Sequence, residues 1–89
     1  MAWRIEFHQG AHRDLAKLDS PVRMRILRFL SARLEGCSDP RVIGEALKGD
    51  ALGAYWKYRV GDYRLICRPQ GALLLVVVIR IGNGREIYR

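Results

Sequence analysis

The first residues of the chain alternate between apolar and polar positions, and the period then lengthens to that of a helix. Trp3, Ile5 and Phe7 are separated by polar residues, which predicts a strand with one buried face. From about residue 8 to residue 18 the apolar side chains instead recur every three or four positions. The amino-terminal part of the chain is therefore predicted to form a strand followed by a helix.

A second helix is predicted after the interruption at residues 19–21. Ser20 is expected to cap it while Pro21 takes the first helical position, where its missing N–H has no cost. The helix is expected to run to about Glu35, with a buried stripe made of Val22, Ile26, Phe29, Leu30 and Leu34. The helix also carries four arginines, which we interpret as a solvated face: Arg23, Arg25, Arg28 and Arg33. Residues 41–53 show no clear period.

Three strands are predicted in the last part of the chain. Residues 55–60 and 63–68 flank Gly61-Asp62, a two-residue loop suited to a tight hairpin. Residues 73–81 are predicted to form a strand, because residues 73–79 are all apolar and show no alternation, which is typical of a strand covered on both faces. Because 89 residues suffice for one core but not for two, we predict a single α+β domain over residues 1–89, ordered strand, helix, helix and three strands.

The two-residue loop of this hairpin decides which side chains share a face. Val60 pairs with Tyr63 and Arg59 with Arg64, and paired residues lie on the same side of a sheet. One side is apolar and aromatic, is predicted to face the core, and collects Trp56, Tyr58, Val60, Tyr63, Leu65 and Cys67. The other side is strongly basic and collects Tyr55, Lys57, Arg59, Arg64, Ile66 and Arg68.

Arg59 directly opposite Arg64 is an unfavourable arrangement, because like charges across a strand pair repel each other. The hairpin carries no carboxylate on this face, so we expect an uncompensated surface that a group from outside the domain completes. A phosphate backbone fits this requirement, since two oxygens of one phosphate match one guanidinium. An acidic protein segment fits it in the same way.

The charge of the whole chain favours the same kinds of partner. Lys and Arg outnumber Asp and Glu by 16 to 9, for a net charge of +7. Residues 51–89 carry seven of the basic residues, opposed only by Asp62 and Glu86. A small domain with its excess charge in one half is typical of proteins that bind a nucleic acid or an acidic protein.

The chain gives no indication of membrane insertion, export or cofactor binding. Its longest apolar run, residues 72–79, is too short for a membrane helix, and we expect no export signal at its start. Cys37 and Cys67 have no metal-ligand spacing and are expected to be free thiols in the cytoplasm. His8 and His12 are four residues apart, and we interpret them as a surface pair rather than as metal ligands.

A basic face of this kind can support RNA cleavage without a metal, because RNA brings its own nucleophile, the ribose 2′-OH. The reaction needs a base for this hydroxyl, positive charge around the phosphate and a proton for the leaving oxygen. Lys57 is the candidate base if neighbouring arginines favour its neutral amine. Arg59, Arg64 and Arg85 would stabilise the phosphate, and Tyr88 would stack on a base or orient it.

The ordered set of motifs along the chain resembles the RelE/ParE superfamily of toxins, and its RelE-like members in particular. The shorter matching segments are Trp3-Arg4-Ile5-Glu6-Phe7, Leu15-Ala16-Lys17-Leu18-Asp19 and Ala46-Leu47-Lys48-Gly49. The most specific segments are Tyr58-Arg59-Val60-Gly61-Asp62-Tyr63-Arg64-Leu65 and Arg85-Glu86-Ile87-Tyr88-Arg89. The resemblance covers essentially the whole chain.

The resemblance implies a helical hairpin packed on a twisted, mainly antiparallel sheet. It also implies the toxin of a type II toxin–antitoxin system, which cleaves mRNA on the ribosome and inhibits translation. A cognate antitoxin would hold the toxin in check and provide its only link to DNA. By position, Lys57 matches the candidate base, Arg64 the phosphate ligand and Tyr88 the stacking residue. Further RNA contacts are expected from Lys48, Tyr55, Arg68 and Arg80.

Two positions depart from the pattern of the best-studied members. Tyr55 stands where they have a lysine, and Gly84 stands where they have an arginine. Arg85, one step further on, is the candidate to replace that arginine. Two alternatives stay open, because fold alone does not choose an activity. One is inhibition of DNA gyrase, as by ParE-type toxins, and the other is a catalytically weak binding module that acts as a corepressor with its antitoxin.

Overall fold

Strand β1 and two helices come first in the chain. The computed structural model describes residues 3–47 and 55–84. In order, the elements are β1 at Arg4–Phe7, α1 at Gln9–Ala16, α2 at Ser20–Phe29 and a π-helical turn at Leu30–Leu34 that continues α2. The predicted first strand and both predicted helices are confirmed.

The start of α2 differs by one residue from the prediction. Asp19 keeps an extended backbone before the helix, with φ −63° and ψ 151°, so Ser20 is already helical and Pro21 follows it. Asp19 makes no capping hydrogen bond through its side chain. The predicted capping by Ser20 is therefore wrong. Pro21 still lies in the first turn, where an N–H would have no partner within the helix.

In the described residues, five strands form one mixed sheet with the order β1-β5-β4-β3-β2. The later strands are β2 at Glu45–Ala46, β3 at Trp56–Val60, β4 at Tyr63–Gln70 and β5 at Leu75–Asn83. β5 runs parallel to β1, and the other neighbours are antiparallel. The predicted α+β class with a mainly antiparallel sheet is confirmed, and β2 is an additional strand in a region without a predicted element.

β5 lies later in the chain than predicted. Gly71–Leu73 form a 3-10 turn, and Leu74 has a left-handed backbone with φ 48° before the strand begins. At its other end the strand continues through Gly82 and Asn83, two residues beyond the predicted end at residue 81. These two residues pair with Arg64 and Tyr63 of β4. The long ladder between β4 and β5 therefore decides where the strand ends.

The helices cover one face of the sheet and form the core with it. The most deeply buried side chains are at most 2% exposed, and they include Ile26, Leu30, Leu34, Tyr58, Leu65, Cys67, Val76 and Val78. Each fully buried aliphatic side chain contributes about 1.5–3 kcal/mol to folding. The opposite face carries exposed Arg59 and Arg68, so the sheet separates the apolar core from a basic surface.

Asp14 of α1 fastens this helix to an edge of β5. Its Oδ2 accepts hydrogen bonds from the backbone N–H of Ile81 at 2.9 Å and from Nε of Arg80 at 2.8 Å. β1 pairs with β5 only as far as Val78. Asp14 therefore supplies an acceptor to the part of the β5 edge that β1 does not reach.

Asp14→Ala is expected to lower the free energy of unfolding by about 1–3 kcal/mol, because the N–H of Ile81 loses its partner inside the protein. Asp14→Asn keeps an oxygen acceptor and is expected to lose less. Urea unfolding of the two variants and the unmodified chain measures the difference. Equal losses in the two variants would contradict a role for this hydrogen bond.

Candidate functional site

The register predicted for the hairpin is confirmed for the five pairs from Trp56–Cys67 to Val60–Tyr63. Val60 pairs with Tyr63 and Arg59 with Arg64, and the ladder continues outward without a shift. Gly61 in the turn has φ +60°, a backbone conformation that L side chains rarely adopt. This conformation lets two residues close the turn and thereby places the two arginines directly opposite each other.

The two faces of the hairpin have the environments that were predicted. Tyr58 is 1% exposed and Leu65 is fully buried beneath the helices, whereas Arg59 on the other face is exposed. β3 and β4 therefore direct their basic side chains away from the core.

Lys57, Arg59 and Arg64 line one open cavity of about 190 Å³. Tyr58 and the segment from Ile43 to Glu45 complete its wall. The structure thus brings together three of the residues predicted to be catalytic. Their common position follows from the hairpin register, because alternate residues of β3 and a residue of β4 opposite them project to the same side.

Glu45 is the residue of this cavity that sequence reasoning missed. It lies on β2 opposite Lys57, and its Oε2 is 3.6 Å from the Nζ of Lys57. The expectation of an uncompensated basic surface is therefore wrong, because the neighbouring strand supplies a carboxylate that the hairpin lacks. A strand of two residues leaves no period in the sequence, so residues 41–53 did not reveal it.

Gly44 is the sequence signal that accompanies this strand. A Cβ on Gly44 would lie 2.5 Å from the carbonyl oxygen of Lys57 and 2.7 and 2.8 Å from two ring carbons of Tyr58. Any side chain at this position would therefore push β2 away from β3. A residue without a side chain is needed for Glu45 to reach Lys57.

The ion pair between Glu45 and Lys57 is too exposed to close the site. The side chain of Glu45 is 78% exposed and that of Lys57 is 35% exposed, and such surface pairs contribute about 0–1 kcal/mol. A polyanion can therefore compete with Glu45 for Lys57.

Arg64 lies between this cavity and a second one at the tip of the hairpin. The second cavity is lined by Asp62, Arg64, Asn83 and Gly84. Nη1 of Arg64 donates hydrogen bonds to the carbonyl oxygens of Gly61 at 3.2 Å and Tyr63 at 3.0 Å. These bonds fix the guanidinium beside the turn, where a ligand in either cavity can contact it.

The other residues predicted to contact RNA are not part of this cavity. Tyr55 directly precedes β3 and is half-buried, and Arg68 is exposed on β4. Neither lines the cavity of Lys57. Lys48, Arg85 and Tyr88 lie outside the described residues, so their roles stay predictions.

Arg80 lies at a different place on the surface. Its Nε donates to Asp14 of α1 at 2.8 Å, and it lines a separate cavity along α1 with Gly10, Arg13, Asp14 and Lys17. The structure does not group Arg80 with the Lys57 cavity. An RNA contact by Arg80 would belong to a second patch on the protein.

The Tyr58 hydroxyl and the two cysteine thiols near the site do not supply an acid or a base. Burial raises the pKa of the Tyr58 hydroxyl well above its usual range, and this hydroxyl donates to the carbonyl oxygen of Pro40 at 2.9 Å. Burial also raises the pKa of the Cys37 and Cys67 thiols, which are both free. These groups stay protonated at neutral pH, so the chemistry of the cavity depends on its charged side chains.

His8 and His12 are both exposed, and each has a local role in the structure. His8 precedes α1, and its Nδ1 accepts a hydrogen bond from the N–H of Gly10 at 3.3 Å. The ring of His12 lies 5.5 Å from that of Phe7. Within residues 3–47 and 55–84, no three His, Cys, Asp or Glu side chains cluster as ligands of a metal would. The same residues include no helix with the length and apolar character needed to span a bilayer.

Comparison with known proteins relates the chain to bacterial toxins by sequence. The family model described as the ParE toxin of the type II toxin–antitoxin system parDE matches residues 5–88. Toxin RelG of Mycobacterium tuberculosis is 29% identical over 89 residues, which cover 100% of this chain and 99% of that protein.

Solved structures share the fold over nearly the whole chain. A chain of the toxin–antitoxin complex RelBE2 from Mycobacterium tuberculosis superposes with a TM-score of 0.84 and 26% identity, covering 97% of this chain and 95% of that one. A chain of the intact RelBE toxin–antitoxin complex of E. coli gives a TM-score of 0.72 and 27% identity, covering 93% and 98%. The shared region leaves out at most 7% of this chain in either comparison.

Proposed function

Because the chain belongs to the RelE/ParE superfamily of type II toxin–antitoxin toxins, we propose that it is an endoribonuclease that cleaves messenger RNA on the ribosome and so inhibits translation. The observation that carries this proposal is the single cavity in which Lys57, Arg59 and Arg64 meet. Cations gathered in an open groove suit the phosphate backbone of single-stranded RNA.

The reaction that we propose is a transesterification within the RNA. The 2′-oxygen attacks the adjacent phosphorus and the bond to the 5′-oxygen breaks, which leaves a 2′,3′-cyclic phosphate and a 5′-hydroxyl. A base takes the proton of the 2′-OH, cations stabilise the developing charge, and an acid protonates the leaving oxygen. We assign the cationic role to Arg59 and Arg64. Arg85 and Tyr88 are proposed for the leaving-group side and for stacking on a base.

The ion pair of Glu45 with Lys57 changes our assignment of the base. The carboxylate of Glu45 lies 3.6 Å from the amine of Lys57 in the same cavity, and a carboxylate oxygen can accept a proton as a general base. We therefore assign the base to Glu45. Lys57 then orients this carboxylate and contributes positive charge to the phosphate.

Glu45→Gln is expected to slow mRNA cleavage by about 100-fold or more, because the amide cannot take the proton of the 2′-OH. Glu6→Gln is the matched control, since Glu6 is an exposed carboxylate on β1. Cleavage of ribosome-bound mRNA by the purified variants, read by primer extension, measures both rates. An unchanged or increased rate in Glu45→Gln would return the role of base to Lys57.

The proposed activity as a whole is tested by expressing the protein from an inducible promoter. Translation should stop, and primer extension should map new 5′ ends within coding regions. The double variant Lys57→Ala/Arg64→Ala should leave both translation and transcripts intact. Growth arrest by the unmodified protein with intact transcripts would refute RNA cleavage. An unchanged phenotype of the double variant would instead favour the corepressor module.

The match to a ParE family model favours inhibition of DNA gyrase as a second candidate function. The positive charge of the cavity suits the binding of RNA and does not support gyrase inhibition. We therefore expect purified protein to leave gyrase supercoiling unchanged. A supercoiling assay with increasing protein decides between the two. Inhibition at amounts that do not cut ribosome-bound mRNA would reverse our preference.

An antitoxin is the protein partner that we propose. The similar chains from Mycobacterium tuberculosis and E. coli belong to toxin–antitoxin complexes, and the basic cavity of this chain suits an acidic segment of such a partner. Contact with DNA would then be indirect, through the antitoxin. A target on translating ribosomes would place the protein in the cytoplasm.

A further inference from the structure

Gly84, the residue that follows β5, lies against the guanidinium of Arg64. A Cβ on Gly84 would be 3.1 Å from Cζ of Arg64 and 3.3 Å from both Nε and Nη2. Since Cζ is the nearest of the three atoms, the approach is to the flat face of the guanidinium and not to its edge. The space that a side chain would occupy at position 84 is therefore the space over this face.

The same segment is tied to the turn of the hairpin. The N–H of Gly84 donates to the carbonyl oxygen of Asp62 at 3.0 Å. The Nη1 of Arg64 donates to the carbonyl oxygens of Gly61 and Tyr63 in that turn. The guanidinium is thus bonded to the turn through Nη1, and the position that a Cβ of residue 84 would take lies over its face.

This arrangement leaves a defined edge of Arg64 for a ligand. Within the part of the chain that the structure describes, Nε and Nη2 of Arg64 make no hydrogen bond, whereas Nη1 makes two. Parallel donors on one edge of a guanidinium match two oxygens of a phosphate. Because Nη1 is bonded to the turn and Gly84 lies over the face, the edge formed by Nε and Nη2 is the one that we expect to bind a phosphate.

We propose that Gly84 is a positioning residue, whose missing side chain holds Arg64 with its Nε–Nη2 edge toward the phosphate of the RNA. The inference rests on the proposed cleavage of RNA and refines the account of its site. It gives Gly84 a role of its own, whereas the resemblance alone suggests that an arginine is missing there. An arginine at this position would place a second cation and its Cβ against the first guanidinium.

The first test compares the cleavage rates of Gly84→Ala and Gly84→Arg with that of the unmodified protein on ribosome-bound mRNA. Both variants are expected to be about 10- to 100-fold slower, because small displacements of a catalytic group have effects of this size. Gly36→Ala is the matched control, since a Cβ there meets nothing within 4 Å. A rate at or above that of the unmodified protein in either variant at position 84 would overturn the proposal.

A double-variant cycle separates positioning from general damage to the fold. In an Arg64→Ala background, Gly84→Ala is expected to cause no further loss of rate, because the group on which Gly84 acts is absent. Gly84 has no positive φ, so alanine should leave the thermal midpoint near that of the unmodified protein. An equal loss of rate in both backgrounds would assign Gly84 a merely structural role.

A second readout does not require cleavage. The NMR signal of the Arg64 Nε–H is expected to shift on addition of inorganic phosphate, and Gly84→Ala is expected to weaken this response about tenfold while Gly36→Ala preserves it. If the unmodified protein cuts no mRNA, the proposed function fails, and this titration alone decides the inference. An identical response in the unmodified protein and Gly84→Ala would overturn it.

Discussion

Arg64→Ala is expected to reduce the rate of mRNA cleavage by about 100- to 1,000-fold, which is the usual effect of removing one preorganised donor to a developing charge. The guanidinium lies between the cavity of Lys57 and the cavity at the hairpin tip. Its loss removes the cation that both cavities share, so neither Lys57 nor Arg59 can replace it from its own position.

The same substitution should have little effect on stability. The hydrogen bonds from Arg64 reach carbonyl oxygens in and beside an exposed turn, and bonds of this kind contribute about 0.5–1.5 kcal/mol. Removal of Arg64 also relieves its repulsion with Arg59 across the strand pair. The two effects oppose each other, so we expect a nearly unchanged thermal midpoint.

Two further variants make this result specific. Arg64→Lys keeps the charge but not the planar fork, and we expect an intermediate rate because a lysine binds phosphate only as a point charge. Arg28→Ala removes an exposed arginine of α2 and should leave the rate unchanged. If Arg64→Ala cut mRNA as fast as Arg28→Ala, the cavity described here would not be the catalytic site.

The hairpin was predictable because a short turn restricts the chain strongly. A loop of two residues allows one register, and that register assigns every side chain of β3 and β4 to a face. The pairing of Arg59 with Arg64 and the burial of Tyr58 both followed from this rule. This part of the site needed no information from distant segments.

The contribution of β2 was not predictable in the same way. Glu45 reaches Lys57 because a two-residue strand pairs with β3, and this pairing depends on the space above the Lys57 carbonyl and the Tyr58 ring. Neither the periodicity nor the charge of residues 41–53 indicates that this space exists. The sequence therefore showed the cations of the cavity but not the carboxylate among them.

Arg80 illustrates a further limit of pattern reading. The β4–β5 ladder shifts between Ile66 and Cys67, so Ile66 pairs with Arg80 while Cys67 pairs with Val78. This irregularity breaks the simple alternation of faces along β5. The partner of Arg80 is Asp14, 66 positions away in the chain, and a contact at such a separation has no local signal.

Gly44 connects the fold to the proposed chemistry, since it controls how closely β2 approaches β3. Its virtual Cβ would be 2.5 Å from the carbonyl oxygen of Lys57, far inside the usual contact distance, and would also overlap the ring of Tyr58. Tyr58 cannot move aside easily, because it is 1% exposed and its hydroxyl donates to Pro40. The strain must therefore be relieved by movement of β2.

Gly44→Ala is expected to lower the free energy of unfolding by about 1–3 kcal/mol, as overpacked positions commonly do, and to slow cleavage by about 10-fold or more because Glu45 moves away from Lys57. Urea unfolding and primer extension on ribosome-bound mRNA measure the two effects on the same preparations. Gly36→Ala, the open glycine, should change neither quantity. Loss of stability with an undiminished rate would show that the close approach of β2 serves the fold alone, and the assignment of Glu45 as the base would then have to be withdrawn.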